Sequence, residues 1–140
     1  MAEETTELVF VYGTLKRGLH NSYLLDNDEF VTTGETKEKY VMTEDGIPYV
    51  SELIPYSTIQ GEIFRVTNTS MHTLDMLESH PTWYERRQVL IVAEDGVEHN
   101  CWLYFNDKTL GSLINIDGDY GSKESRRIPI QQQQEGAPAN

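Results

Sequence analysis

Two places in this chain hold residue types that could manage an anion and a proton. The first is Tyr12-Gly13-Thr14-Leu15-Lys16-Arg17-Gly18, where the β-branched and aromatic run Val9 to Tyr12 breaks at a glycine. A strand ending in such a turn can aim successive main-chain N–H groups at an anion, and glycine lets a ligand approach the backbone closely. The same pattern also fits a plain hairpin turn that starts at Gly13. The second place is Glu78. On a helical wheel of about 100° per residue, Met71, Leu74 and Leu77 share one side, and Glu78 falls between Met71 and Leu74. A carboxylate there is partly desolvated. It also lies near a helix C-terminus, where the macrodipole disfavours negative charge, and both effects raise its pKa. Such a group could take up a proton near neutral pH and return it. The competing reading is a structural ion pair with Arg86 or Arg87, or a glutamate at a wet edge.

The elements that must position these residues follow from the pattern of the chain. Leu8 to Tyr12 reads as a first strand and Gly13 to His20 as a loop. Asn21 to Leu25 fits a short helix capped by Asn21 or Ser22. Phe30 to Met42 is strand material interrupted by Gly34, and Asp45-Gly46 marks a turn. Ile59 to Thr67 alternates as a strand with neither face wholly apolar, which suits a barrel wall. Asn68, Thr69 and Ser70 are candidate caps for a helix from Ser70 to Ser79, ended by Pro81. Arg87 to Ala93, the turn Asp95-Gly96 and Val97 to Phe105 form a hairpin. From Asn106 onward the pattern fades into loops.

Composition narrows the function classes. The 140 residues suit one domain, expected over 8–130, with a polar lead-in at 1–7 and a disordered glutamine-rich tail at 131–140. A net charge of −12 argues against nucleic acid or an anionic membrane as partner. No apolar run reaches membrane-spanning length. The acidic N-terminus does not read as a signal peptide, and a single cysteine suits a reducing cytoplasm. His20, His72, His80 and His99 show no metal-ligand spacing, so no metal is expected. Asp117-Gly118-Asp119 lacks the further ligands of a calcium loop. Cys101, inside a predicted strand, reads as a core thiol rather than a nucleophile. Lys16-Arg17 could attract an anionic group or simply form a solvated loop tip.

Taken together, the ordered blocks carry a resemblance. Tyr12-Gly13-Thr14-Leu15-Lys16-Arg17-Gly18, Gly61-Glu62-Ile63-Phe64, Leu74-Asp75-Met76-Leu77-Glu78, Pro81-Thr82-Trp83-Tyr84-Glu85-Arg86 and Trp102-Leu103-Tyr104 stand in sequence order. This pattern, over roughly residues 8 to 121, resembles the gamma-glutamylcyclotransferase-like superfamily, closest to its gamma-glutamylamine cyclotransferase and AIG2-like branch. The resemblance implies an α+β fold, a mixed barrel-like sheet with short helices packed around it. It implies that Glu78 is the catalytic acid/base and that Tyr12, Gly13, Thr14 and Leu15 hold the substrate through main-chain donors. Tyr84, Tyr104 and Tyr120 are possible cleft residues. The implied substrate is a small gamma-glutamyl compound, whose α-amine attacks its own side-chain carbonyl to close 5-oxoproline and expel an amine. One carboxylate with a raised pKa can serve both proton transfers, so no cofactor, metal or covalent nucleophile is implied. A module on the same fold that binds a small ligand without turning it over is the alternative. An interaction protein with an acidic, glutamine-rich tail rests on composition alone.

Overall fold

A computed structural model describes residues 5–130. The expected tail at 131–140 and residues 1–4 of the lead-in lie outside the described residues. Along the chain run β1 (Thr6–Val11), a 3-10 turn (Ser22–Leu25), β2 (Glu29–Thr36), β3 (Val41–Glu44), β4 (Pro48–Ser51), β5 (Gln60–Thr67) and α1 (Asn68–Leu77). They are followed by β6 (Glu85–Ala93), β7 (Glu98–Phe105), β8 (Leu113–Asn115) and β9 (Arg127–Pro129). Five strands close into a barrel in the order β1-β5-β2-β6-β7, and β4-β3-β8-β9 form a second sheet. The barrel closes where β1 meets β7 in parallel, Val9 opposite Trp102. The expected α+β barrel is therefore present, with one α-helix among the described residues.

A closed wall buries both faces of its strands, which is why the β1 sequence is apolar without alternation. Phe10 joins Ile63, Ile91, Cys101, Leu103 and Phe105 on one face, with Met42 and Val50 of the second sheet packed against them. Val9 and Val11 join Phe64, Val66, Met71 and Leu74 on the other face, under α1. Leu74 is 1% exposed, a burial that contributes about 1.5–3 kcal/mol.

Several boundaries differ from the sequence expectation, each for a local reason. Gly34 does not interrupt β2. It lies opposite Gly61 of β5 and Ala93 of β6 in the ladders, at a close approach where a Cβ would stand 2.7 Å from the Val92 carbonyl. The break falls instead at residues 37–40, between β2 and β3. The cap of α1 is Thr67, whose hydroxyl accepts from the Ser70 N–H at 3.1 Å, so the helix begins earlier than a cap at Asn68, Thr69 or Ser70 would allow. At Asn21 the side chain caps no helix and donates to the Thr14 hydroxyl at 2.8 Å. The region after Asn106 is not all loop, because β8 pairs with β3 and β9 with β8.

This second sheet matters for position. Its β3–β4 hairpin turns at Gly46 (φ 78°) and carries Ile47 and Pro48 at its tip. The β3–β8–β9 part is tied by Arg127, whose Nε donates to both oxygens of the buried Glu44 at 3.0 and 2.9 Å, while Asn115 Nδ2 donates to the same carboxylate at 2.6 Å. No helix of the described residues is long and apolar enough to cross a membrane.

Candidate active site

The last turn of α1 fixes the carboxylate. Helix α1 ends in a Schellman motif: Ser79 takes a left-handed φ of 52°, its N–H donates to the Met76 carbonyl at 3.2 Å, and the His80 N–H donates to the Asp75 carbonyl at 2.9 Å. The helix therefore stops two residues before the expected end at Ser79, and Pro81 is not the direct cause. Glu78 is the C-cap residue, held in helical angles by its own N–H to the Leu74 carbonyl at 2.9 Å. Of the residues placed on the apolar side, Met71 and Leu74 are buried. Leu77 is half-exposed at a cavity edge.

That cavity, about 280 Å³ in volume, lies between the end of β1, the end of α1, the β3–β4 hairpin tip and the loop before β6. Tyr12, Gly13, Thr14, Leu15, Glu78, Tyr84 and Tyr104 all line it. Tyr120 does not. It packs against the core face of Phe10 and Ile63, with its hydroxyl 3.3 Å from the Gly46 carbonyl. Ile47, Pro48, Leu77 and Trp83 also line it.

The loop that follows β1 is pinned from outside the cavity. Lys16 N–H donates to the Gly13 carbonyl at 3.0 Å and Asn21 N–H to the Thr14 carbonyl at 3.0 Å. Lys16 Nζ reaches the Tyr120 carbonyl at 2.6 Å and Asp119 at 3.2 Å. Arg17 pairs with Glu62 and lies over the Phe30 ring at 3.5 Å. Neither cation is left as a free attractor of anions. The main-chain N–H groups of Gly13, Thr14 and Leu15, by contrast, donate to no described residue. Buried or half-buried N–H groups are rarely left without an acceptor, so this row of donors is open to a ligand. Gly13 has no positive φ. Its need for glycine is spatial, since a Cβ would sit 3.0 Å from Cγ of Pro48 across the cavity.

The charges around Glu78 are arranged so that none reaches it. Arg86 is taken by Asp75, one turn earlier on α1, through Nε at 2.8 Å and Nη2 at 3.1 Å. Arg87 is taken by Glu52, Glu85 and Asp107. The ion pair that sequence allowed for Glu78 is thus absent among the described residues, and burial pushes its carboxyl from 4.5 up to about 7. Asp75 behaves in the opposite way. Burial would raise it, but hydrogen bonds from Arg86 and Tyr104 hold it below its ordinary value.

The tyrosines are walls and donors rather than titrating groups. Tyr12 donates to the Tyr104 carbonyl at 2.7 Å, Tyr84 to the Pro48 carbonyl at 2.8 Å, and Tyr104 to Asp75 Oδ1 at 2.7 Å. Burial, and then neighbouring negative charge, raises all three well above the ordinary phenol value. Glu78 is left as the group in the cavity able to exchange a proton near neutrality. Cys101 is fully buried, and burial pushes its thiol up to about 12. No cluster of three His, Cys, Asp or Glu side chains that could hold a metal occurs among the described residues.

Sequence reasoning gave no site role of their own to Asp75, Asn21 or the Ile47-Pro48 wall. The three-residue spacing of Asp75 and Glu78 was a usable signal, because it puts both on adjacent turns of one helix face. The hairpin tip gives no such signal, since it reaches the cavity only through the tertiary fold.

Comparison with known proteins gives the chain's relatives. Residues 9–122 match the family described as "Gamma-glutamyl cyclotransferase, AIG2-like". The chain is 43% identical over 116 residues to "Putative gamma-glutamylcyclotransferase MJ1514" of Methanocaldococcus jannaschii, covering 81% of this chain and 95% of that protein. It is 37% identical over 129 residues to gamma-glutamylaminecyclotransferase C of Danio rerio, covering 85% and 83%. The crystal structure of an AIG2-like protein from Mus musculus superposes with a TM-score of 0.68 at 28% identity, over 74% of this chain and 79% of that one. With the barrel, the open loop amides and the unpaired glutamate in place, the chain belongs to the AIG2-like gamma-glutamyl cyclotransferase family.

Proposed function

We propose that this protein converts a small gamma-glutamyl amide into 5-oxoproline and a free amine, with Glu78 carrying the proton. The observation that supports this most is the unpaired Glu78 carboxyl, raised to about 7, in the same cavity as the unengaged amides of Gly13, Thr14 and Leu15. The names of its relatives, gamma-glutamylcyclotransferase and gamma-glutamylamine cyclotransferase, point to the same reaction class.

The residues divide the work as follows. The loop amides hold the glutamyl carboxylate and fold the chain so that α-amine and side-chain carbonyl meet, an arrangement that removes most of the entropic cost of cyclisation. Glu78, as carboxylate, takes a proton from the α-ammonium group. The freed nitrogen attacks the side-chain carbonyl carbon, a C–N bond forms, and the oxygen gains charge that backbone N–H donors stabilise. Glu78 then returns its proton to the departing nitrogen as the original amide C–N bond breaks, takes the second proton from the ring nitrogen and passes it to the released amine, which leaves as an ammonium ion. The carboxylate is regenerated and no other reactant is consumed. A carboxyl near 7 is suited to both halves, because it accepts and donates with little bias at neutral pH.

Incubation with a panel of gamma-glutamyl compounds, with 5-oxoproline and free amine quantified together, tests the proposal. Equimolar release of both products is expected. Binding of these compounds by calorimetry without either product would leave a ligand-binding module in its place.

A further inference from the structure

We infer that Asp75 is a positioning residue for the Glu78 proton transfer: it holds Arg86 away from Glu78, and the two paired charges cancel beside the cavity. Resting on the cyclotransferase reading above, this role names what sets the pH at which Glu78 works. Arg86 starts close to Glu78. The Tyr84 N–H donates to the Glu78 carbonyl at 3.2 Å, and Arg86 follows two residues later in β6. Arg86 also stands opposite Tyr104 in the β6–β7 ladder, and the Tyr104 side chain lines the cavity together with Glu78. Asp75 lies three residues before Glu78, so their Cβ atoms are about 5–6 Å apart on adjacent turns. Without Asp75, the next carboxylate on that face of α1 is Glu78.

Several contacts turn Arg86 away. Its Nε and Nη2 donate to the two oxygens of Asp75 at 2.8 and 3.1 Å, the bidentate geometry that guanidinium and carboxylate prefer. The Tyr104 hydroxyl donates to Asp75 Oδ1 at 2.7 Å and fixes the carboxylate in place. The guanidinium lies 4.4 Å from the Trp102 ring centroid, and the Arg86 main-chain N–H donates to His80 Nδ1 at 3.2 Å. The side chains of the pair are 19% and 20% exposed, so water screens them incompletely. The other titratable groups that face Glu78 are phenols: Tyr12 of β1, Tyr84 of the loop before β6 and Tyr104 of β7. Among the described residues that line the cavity there is no Lys, Arg or His. Lys16 and Arg17, on the loop after β1, are paired with Asp119 and Glu62. His80, on the turn after α1, has its ring edge-on to Tyr104, centroids 6.3 Å apart. Arg86 is therefore the cation with a short route to Glu78, and Asp75 is the group that closes that route.

The Glu78 titration tests this directly. It is followed by carbon NMR of protein labelled at its glutamate carboxyls, with the Glu78 signal identified by its loss in Glu78→Gln. The acid limb of the kcat/KM profile for gamma-glutamylmethylamine is measured alongside. Asp75→Asn frees Arg86 and should lower both midpoints by about one pH unit, whereas Arg86→Gln leaves Asp75 uncompensated and should raise both by about as much. The double variant, Asp75→Asn with Arg86→Gln, removes both charges and should return to the parent midpoint. A pair that merely ties α1 to β6 would alter stability in all three variants without moving Glu78 in opposite directions. An unchanged midpoint in either single variant, shifts of the same sign in both, or a double variant that keeps a single variant's shift would overturn the inference. If Asp75→Asn alone does not fold, the rise in Arg86→Gln and its cancellation in the double variant still decide the matter. NMR midpoints that move as expected, with no 5-oxoproline formed by any of the proteins, would overturn the cyclotransferase reading and leave the charge balance standing.

Discussion

Replacing Glu78 with glutamine keeps the side chain's size and removes its titration, so the cost of placing a carboxylate in the cavity can be read from stability. In the folded protein the Glu78 carboxyl titrates at about 7, against an ordinary value of 4.5. Between those values the folded state keeps a proton that the unfolded chain has released, so stability falls as pH rises. The contribution of Glu78 is intact below about pH 4.5 and has been lost once the pH passes about 7. At about 1.4 kcal/mol per pKa unit, the loss is on the order of 3 kcal/mol, reduced to the extent that water reaches the half-buried group. Glu78→Gln stays neutral throughout and escapes it. The variant should match the parent protein near pH 4.5 and exceed it at pH 8 by up to about 3 kcal/mol, a Tm difference on the order of 10 °C for a chain of this size. Thermal or urea unfolding of both proteins from pH 4.5 to 8 measures the difference, and every other titrating group is common to both. Parallel stability curves across that range would refute the reasoning, since they would mean that the carboxyl is not held up by burial.

Asp75→Asn removes the charge that Arg86 pairs with and one of the two acceptor oxygens that Arg86 and Tyr104 share, and should destabilise the fold by about 1–3 kcal/mol at neutral pH. Because Asp75 is held below its ordinary 3.8, its stabilisation is complete above about that pH and is lost as the pH falls through its folded value, so the variant should show a shallower loss of stability in acid, read by urea melts from pH 2 to 7. Gly13→Val places a branched side chain against Pro48 in a backbone that does not itself resist it; KM for a gamma-glutamyl substrate should rise about tenfold or more, and an unchanged KM in a protein folded by circular dichroism would count against substrate contact at this loop. On composition alone, truncation after Ile130 should leave both Tm and 5-oxoproline formation nearly unchanged; a fall of several degrees in a thermal melt, or a large loss of activity, would assign the tail a role.

Much of the fold was legible because its determinants are local. The apolar run Val9 to Tyr12, the Asp95-Gly96 turn and the spacing of Met71 and Leu74 each act within a few residues, and β1, the β6–β7 hairpin and α1 follow from them. The strands β8 and β9 are three residues each. That is too short for an alternation to register, and their pairing with β3 comes from residues far away in sequence. The site divides in the same way. The helical wheel puts Glu78 on the side of Met71 and Leu74, but it cannot tell which carboxylate Arg86 will choose. Geometry gives Arg86 to Asp75, and this choice leaves Glu78 unpaired. Leu77 falls on the apolar side by the wheel, yet it is half-exposed and lines the cavity instead of the core.

The central claim is that Glu78 moves the proton during ring closure. Its most direct test is a single-turnover experiment in which limiting substrate, fully bound by excess parent protein or by excess Glu78→Gln variant, is followed for the rate of 5-oxoproline formation, with bound fractions set equal by calorimetry. The account predicts that the variant binds with similar affinity and forms 5-oxoproline about a hundredfold more slowly or worse. Formation at the parent rate from an equally occupied site would contradict it.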